Sequence, residues 1–237
     1  MKVLIVGGVA GGASAAARLR RLDETAEIIL FERGEYISFA NCGLPYYIGN
    51  VITNRESLLV VTKEMMRDRF RLDIRTQCEV LSIDRVHKKV RVHDAVTNNE
   101  YHETYDKLIL SPGAAPLRPP LPGVNGSRIY TLRNIPDTDA IRKVVDSGTV
   151  RTATVVGGGF IGIEMAENLE HRGVDVTLVE MLPQVMAPLD IEMAAIVHQH
   201  LKLKGVHLAL GDGVAGFEEK GQRVTTTLAS GQKVESD

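Results

Sequence analysis

Apolar residues gather in short β-branched runs that alternate with stretches of helical spacing, and one such succession occurs twice. Val3 to Val6 reads as a buried parallel strand ending in Gly7-Gly8-Val9-Ala10-Gly11-Gly12. A helical stretch follows from Ala13 to Leu22, then a strand from Ala26 to Phe31, closed by Glu32. The second copy begins with a strand at Thr152 to Val156 and turns through Gly157-Gly158-Gly159-Phe160-Ile161-Gly162. Its helix runs from Ile163 to His171, its next strand from Asp175 to Val179, and Glu180 closes it. The repetition predicts an α/β fold of two Rossmann-like, three-layer units of the dinucleotide-binding kind.

The remaining pattern fills in the units. Thr62 is placed to cap a short helix through Phe70. Val80 to Ile83 and Val90 to His93 alternate with period two, with Asn98-Asn99 beyond, and read as an antiparallel β hairpin inserted in the first unit. Asp190 to Lys204 predicts an amphipathic helix stopped by Gly205. His198 and His200 on it are two residues apart, so they point to different faces and make poor metal ligands. Ala115 to Val124 carries Pro116, Pro119, Pro120 and Pro122, which cannot join a sheet ladder, and reads as a connector. The expected division is a first dinucleotide segment over 1–115, a linker and lead-in over 116–150, and a second dinucleotide segment over 151–237, incomplete at its C-terminal end.

Composition narrows the function classes. With 44% hydrophobic and 24% charged residues, the 237-residue chain has the profile of a soluble globular protein. A net charge of -2 gives no electrostatic case for nucleic acid or an anionic membrane as partner. Two cysteines are too few for a disulfide framework, which favours a reducing, cytoplasmic setting. The apolar run from Val3 to Ala17 contains two Gly-Gly pairs and leads into Arg18, Arg20 and Arg21, unlike a secretory signal. No zinc, iron–sulfur or haem signature is present, so no metal site is expected.

The glycine loops carry the chemistry of phosphate recognition. One glycine permits a tight turn, another lets backbone N–H groups approach a pyrophosphate, and the helix N-terminus adds positive potential. The acid about 20 residues on accepts hydrogen bonds from ribose hydroxyls. Two such sites imply two dinucleotides, and the usual pairing is FAD with NAD(P)H. The first half contains the candidate reactive sulfur, so FAD is expected there, on Gly7, Gly8, Val9, Ala10, Gly11, Gly12 and Glu32. The second unit then takes NADH on Gly157, Gly158, Gly159, Phe160, Ile161, Gly162 and Glu180. Glu180 predicts NADH over NADPH: its carboxylate would repel a 2′-phosphate, and Met181, Leu182 and Pro183 supply no arginine to receive one. Val9 stands where the fingerprint has glycine, which predicts a looser grip on the pyrophosphate or an altered backbone path.

Cys42 is the candidate for redox chemistry. It lies in Ser38-Phe39-Ala40-Asn41-Cys42-Gly43-Leu44-Pro45-Tyr46-Tyr47, at the expected start of a short helix, whose N-terminal potential favours a thiolate. Dithiol flavin reductases place a second cysteine five positions on; here that position is Tyr47, leaving one sulfur to work alone. It would cycle through a mixed disulfide or a sulfenic acid. The alternative is a buried cysteine acting as a small hydrophobe. Cys78 lacks such a context and reads as an inert strand residue.

Three segments together resemble the coenzyme A-disulfide reductase and NADH oxidase family, the single-cysteine branch of the pyridine nucleotide-disulfide oxidoreductases. They are the loop from Ser38 to Tyr46, the opening Gly7-Gly8-Val9-Ala10-Gly11-Gly12-Ala13-Ser14, and Leu110-Ser111-Pro112-Gly113-Ala114. The last is similar to the strand-plus-glycine motif of two-dinucleotide flavoproteins, with Ser-Pro-Gly where Ala-Thr-Gly is common. Val9 and Pro112 are what this branch looks like. Members with a C-terminal rhodanese domain, which reduce persulfides, are the most similar. The resemblance implies FAD, NAD(P)H, a homodimer formed through a C-terminal domain absent here, and substrates such as coenzyme A disulfide or persulfide, peroxide or dioxygen.

By residue, the resemblance implies Cys42 as the redox nucleophile and Arg33, Asn41, Val80, Ser111, Pro112 and Gly113 as further flavin-site positions. Ser38 and Asn41 match residues beside bound coenzyme A, and Ser14, Arg18 and Arg21 fall on one face of the first helix where the family touches coenzyme A. A solvated basic face is the alternative for Arg18, Arg20 and Arg21. Phe160 matches an aromatic gate over the flavin, or packs. Two other function classes stay open: a flavin-dependent electron-transfer reductase with Cys42 a bystander, and a non-catalytic nucleotide-binding fragment.

Overall fold

Period-two alternation in the first strands decides how the first unit is layered. The computed structural model describes residues 1–237, which divide into two compact units: Met1–Ala40 with Glu56–Ala115, and Asn41–Arg55 with Pro116–Asp237. Strand β1 (Lys2–Val6) leads through helix α1 (Ala10–Leu22) to β2 (Glu27–Glu32). A short helix α2 (Leu44–Ile48) follows, then α3 (Lys63–Phe70), β3 (Asp73–Thr76), β4 (Cys78–Asp84), β5 (Lys89–Asp94), β6 (Asn99–Thr104) and β7 (Lys107–Leu110). The parallel sheet runs in the order β3-β2-β1-β7, with Leu4 opposite Ile29 and Leu108. Val3, Ile5, Ile28 and Leu30 face α1 and α3, packing on Ala13, Ala16 and Met66. Leu4, Ile29 and Phe31 face the other way, onto Cys78, Val90 and Val92 of an antiparallel sheet. Helix layer, parallel sheet and antiparallel sheet form the three layers, as side chains alternate across a strand.

The antiparallel layer has three strands, β4-β5-β6, where a two-stranded hairpin was expected. β6 pairs along β5 from Asn99 opposite Asp94 to Thr104 opposite Lys89. Its sequence, Asn-Glu-Tyr-His-Glu-Thr, has no apolar alternation because only Tyr101 packs on the core.

Arg20 departs from the solvated basic face that was one expectation for it. It is 8% exposed. Its guanidinium donates to the carbonyls of Phe70 (2.8 Å), Arg71 (2.9 Å) and Glu24 (2.8 Å), tying the C-terminal ends of α1 and α3 together. Arg18 and Arg21, on the outer face, are exposed.

The second unit repeats the parallel theme. Helix α4 (Ile135–Asp146) precedes β8 (Thr152–Val156), α5 (Phe160–His171), β9 (Asp175–Glu180), α6 (Ile191–Leu203) and β10 (His207–Leu210). Three strands close the unit as an antiparallel sheet, β11 (Val214–Lys220), β12 (Arg223–Leu228) and β13 (Lys233–Ser236). The parallel order is β10-β9-β8. Met165, Ala166 and Leu169 of α5 pack with Val176, Leu178, Leu201 and Ile48 in its core. The apolar residues of α6 do not gather on one buried face as expected. Ala194 and Leu201 are buried, whereas Ile191, Met193, Ile196 and Leu203 are exposed.

Two boundaries differ from the sequence-based division. Residues 116–150 pack within the second unit and are not a free linker. Phe217 N–H donates to the Pro122 carbonyl (2.8 Å), Arg128 N–H to Glu219 (2.6 Å), and α4 is closed by a capping box between Asn134 and Asp137. Residues 41–55, expected with the first unit, group with the second, because Thr138, Arg142 and Arg172 all bond to α2 and the residues after it. No helix is long and apolar enough to cross a membrane.

The contrast between neighbouring arginines is testable. Arg20→Met should leave the Phe70 and Arg71 carbonyls without donors at a cost of about 2–4 kcal/mol, whereas Arg18→Met should stay within about 0.5 kcal/mol of the parent. Urea unfolding midpoints of both variants check this.

Candidate functional site

Both glycine loops are built on the same hydrogen-bonded plan. Gly7 and Gly157 have φ of +97° and +105°, a region other residues rarely adopt, and their N–H groups donate at 2.8 Å to the carbonyls of Phe31 and Val179. An added Cβ on Gly12 would lie 1.7 Å from the Gly7 carbonyl oxygen; on Gly162 it would lie 1.8 Å from that of Gly157. The helix can therefore approach its strand only if those positions carry no side chain. Gly8 N–H donates to Glu32 at 2.7 Å and Gly158 N–H to Glu180 at 2.6 Å. Each carboxylate also accepts a following backbone N–H, Gly34 for Glu32 (2.8 Å) and Leu182 for Glu180 (2.7 Å). A carboxylate has about four acceptor positions, so both retain capacity for a diol.

The long helices are closed in different ways at their N-termini. Thr62 caps α3 by accepting from Met65 N–H (3.2 Å), and Asn134 caps α4 by accepting from Asp137 N–H (2.9 Å). α1 and α5 have no side-chain cap and no acid in their first turn. Their leading N–H groups are thus free to receive an external anion. Both helices begin inside the loops, at Ala10 and Phe160, which places Ala10, Gly11, Gly12, Ile161 and Gly162 in helical first turns. The glycine-rich turn and the N–H groups without a side-chain cap fit a dinucleotide pyrophosphate in each unit.

Val9 and Gly159 hold the same place before these helices. Their φ angles are alike, −87° and −79°, but ψ is −106° at Val9 against −174° at Gly159. Valine is accommodated by a different backbone path, without positive φ. In the first unit Ser111, Pro112 and Gly113 follow β7. Ser111 N–H donates to the Val6 carbonyl (2.7 Å), bringing the Ser111 carbonyl to where a Gly7 Cβ would be. Val80 is half-buried against the antiparallel layer, and Arg33 is exposed, 3.4 Å from Glu79.

Ser14, Arg21 and Ser38 line one shallow cleft of about 320 Å³ in the first unit, with Met65, Arg69 and Phe70 of α3. Arg18, exposed on α1, lies outside this lining. Arg69 was not singled out in the sequence. Its only signal there was a position in the last turn of the Thr62-capped helix. Ser38 has φ of +46°; its N–H donates to the Gly8 carbonyl (3.0 Å) and its carbonyl accepts from Val60 (3.0 Å).

Asn41 and Cys42 belong to the second unit, in the short 3-10 turn Asn41–Gly43 that leads into α2. The Cys42 side chain is exposed. Asn41 Oδ1 is 3.5 Å from Arg133. α2 spans only five residues, less helix than the expected dipole argument invokes. Burial raises the Tyr46 phenol, and the Glu164 and Glu167 carboxylates and Cys42 push it further the same way, so Tyr46 stays a proton-bearing donor within electrostatic reach of Cys42. Cys78 contrasts with Cys42. It is buried, and burial pushes its thiol pKa up, away from thiolate character. Phe160 is 64% exposed at the first position of α5, so it does not pack in the core.

Duplicated glycine loops, each answered by its own carboxylate, define an α/β protein of the two-dinucleotide class. The chain belongs to the pyridine nucleotide-disulphide oxidoreductase family, whose model matches residues 1–237. It is 38% identical over 218 residues to a coenzyme A disulfide reductase of Staphylococcus haemolyticus, covering 92% of this chain and 49% of that protein. A solved structure of reduced CoADR-RHD from Bacillus anthracis is 56% identical with a TM-score of 0.96, covering 100% of this chain and 42% of that one. A NAD-dependent persulfide reductase from A. fulgidus is 33% identical with a TM-score of 0.95, covering 100% and 44%. The chain thus spans about half the length of the relatives it matches.

The packed glycines give a direct test. Gly12→Ala and Gly162→Ala should each lower stability by about 1–3 kcal/mol, because backbone, not a flexible side chain, meets the new methyl group. Equal thermal midpoints for parent and variants would show that helix and strand can separate freely.

Proposed function

We propose that this chain is the nucleotide- and thiol-handling part of an NADH-dependent flavoenzyme that reduces coenzyme A disulfide or a persulfide through Cys42. The observation that carries the reading is the single exposed Cys42, ahead of a short helix, with Tyr47 where dithiol enzymes have their second sulfur. The first unit would hold FAD, with its pyrophosphate at Gly7–Gly12 and its adenosine ribose on Glu32; Arg33, Asn41, Val80, Ser111, Pro112 and Gly113 complete that assignment. The second unit would hold NADH at Gly157–Gly162 and Glu180. FAD held there would supply the redox chemistry, taking hydride equivalents from NADH and providing the electrons for sulfur reduction.

Cys42 acts as nucleophile. Its thiolate attacks one sulfur of the disulfide, the S–S bond breaks, and the first thiol leaves with a proton. Two electrons and a proton then cleave the Cys42 mixed disulfide, releasing the second thiol and restoring the thiolate. In sum, disulfide, NADH and a proton become two thiols and NAD⁺. Ser14, Arg21, Ser38 and Arg69, with Arg18 nearby on α1, supply hydroxyl and cationic groups suited to the phosphates and pantetheine arm of coenzyme A. A homodimeric, cytoplasmic enzyme with a small diffusible thiol or disulfide partner completes the reading.

Cys42→Ser in the full-length enzyme should abolish reduction of both sulfur substrates while stopped-flow reduction of the flavin by NADH persists. Serine matches cysteine in size but cannot form a disulfide. Wild-type turnover on either substrate would favour an electron-transfer reductase in which Cys42 takes no part.

Glu180 makes a second test. Its carboxylate favours NADH over NADPH by roughly tenfold or more in kcat/KM. Glu180→Ala combined with Met181→Arg should invert that ratio. Equal kcat/KM for the two cofactors in the parent enzyme would contradict the assignment.

A further inference from the structure

We propose that Arg142 and Arg172, joined through Asp146, are positioning residues for Cys42, holding the carbonyl end of the short helix that follows it. This rests on the reading of Cys42 as the redox nucleophile.

The argument starts from the helix itself. At five residues, α2 is far too short to be stable alone. Backbone N–H groups of residues 49–52 reach the Pro45, Tyr46 and Tyr47 carbonyls, and side chains from α4 and from the end of α5 add further donors. Thr138 Oγ1, fully buried, donates to the Leu44 carbonyl at 2.9 Å. Arg142 Nη1 donates to the Tyr47 carbonyl at 2.6 Å and to that of Ile52 at 3.2 Å, while its Nη2 donates to Asn50 Oδ1 at 2.9 Å. Arg172 Nη1 donates to the Ile48 carbonyl at 2.9 Å. Asp146 links the two arginines, at 3.2 Å from Arg142 Nε and 2.7 Å from Arg172 Nη2. The hydrogen bond from Arg172 holds the Asp146 carboxyl below its usual range, and Arg142 adds to this against a burial penalty, so the bridge is charged throughout neutral pH.

Two further contacts fix the same end of the helix. Arg142 lies over the Tyr47 ring at 4.0 Å, so the residue that stands in place of a second redox cysteine is the platform on which the clamp rests. Gly49, just after α2, sits against Asn168 of α5, and an added Cβ there would come 2.0 Å from Asn168 Oδ1. With one end of α2 fixed by these groups, only Gly43 separates its start from Cys42. The position of the helix therefore bears on where the sulfur sits.

The test compares Arg142→Met, Arg142→Lys and Arg172→Lys in the full-length, FAD-containing enzyme. Three quantities are read: the rate of Cys42 alkylation by iodoacetamide followed by mass spectrometry, stopped-flow flavin reduction by NADH, and kcat for coenzyme A disulfide, with KM followed alongside. Misplacement by about an ångström can cost roughly a hundredfold. Arg142→Met should therefore lower kcat about tenfold or more and change the alkylation rate several-fold, with flavin reduction and KM near wild type. Arg142→Lys should recover part of the loss. Wild-type alkylation and kcat in the folded variants overturn the proposal, as does a parallel fall of all three quantities, which marks a purely structural role. If Arg142→Met does not fold, Arg172→Lys, which keeps the charge but not the fork, decides by the same comparison. Full sulfur turnover in Cys42→Ser would instead overturn the reading of the site itself, whatever the arginine variants do.

Discussion

Both glycine loops of this chain depend on one hydrogen-bonded junction, made twice: a carboxylate at the end of one strand holding the glycine-loop N–H at the end of the strand beside it. Glu32 takes Gly8 and Glu180 takes Gly158, each near the short end of the hydrogen-bond range. The junction fixes the acid that can meet a ribose against the turn that can meet a phosphate. The correspondence continues past the carboxylate. Ser38 and Met186 both have positive φ, and their N–H groups donate to the Gly8 and Gly158 carbonyls. In the first unit that second tie starts the segment toward Cys42; in the second it starts the approach to α6.

Because the glycine junctions take up the strand ends, the helices that follow are left with unpaired leading N–H groups. α3 and α4 satisfy theirs with Thr62 and Asn134, and α4 adds a reciprocal acid. α1 and α5 do neither. α6 also lacks a side-chain cap but carries Glu192 in its first turn, so α1 and α5 are the long helices with neither a cap nor an acid, consistent with an external acceptor at both places.

Elements whose fold is set by local chemistry were legible before the structure. Both strand–glycine–helix units, the Thr62 cap and the stop at Gly205 follow from backbone sterics and side-chain hydrogen bonding within a few residues. What was not legible depends on partners far away in the chain. β6 forms from a polar segment because β5 offers a ladder edge. β12 alternates buried Val224, Thr226 and Leu228 with outward residues in a Thr-rich run, and β11 and β13 form on its two edges. Arg20 looks like Arg18 and Arg21 in sequence, yet it is buried by carbonyls of Phe70 and Arg71, about fifty residues on. Asn41 and Cys42 sit next to Ala40 in sequence, but α2 is too short to hold itself, so its donors decide which unit it joins. The proline-rich stretch misled for the converse reason: prolines that cannot donate can still accept, and Pro122 does.

The grouping of α2 with the second unit gives α5 two duties at its two ends. Its first turn offers free N–H groups to an anion, while Asn168 lies against Gly49 and Arg172, just past its last turn, holds the Ile48 carbonyl. Between these ends lie twelve residues of helix, roughly 18 Å of hydrogen-bonded rod packed on β8 and β9 through Met165, Ala166 and Leu169. A packed rod of that kind transmits displacement without bending, and close-packed surroundings leave it little room to absorb any. The same helix thus carries the second glycine loop at one end and, through Asn168 and Arg172, contacts to the segment that follows Cys42 at the other.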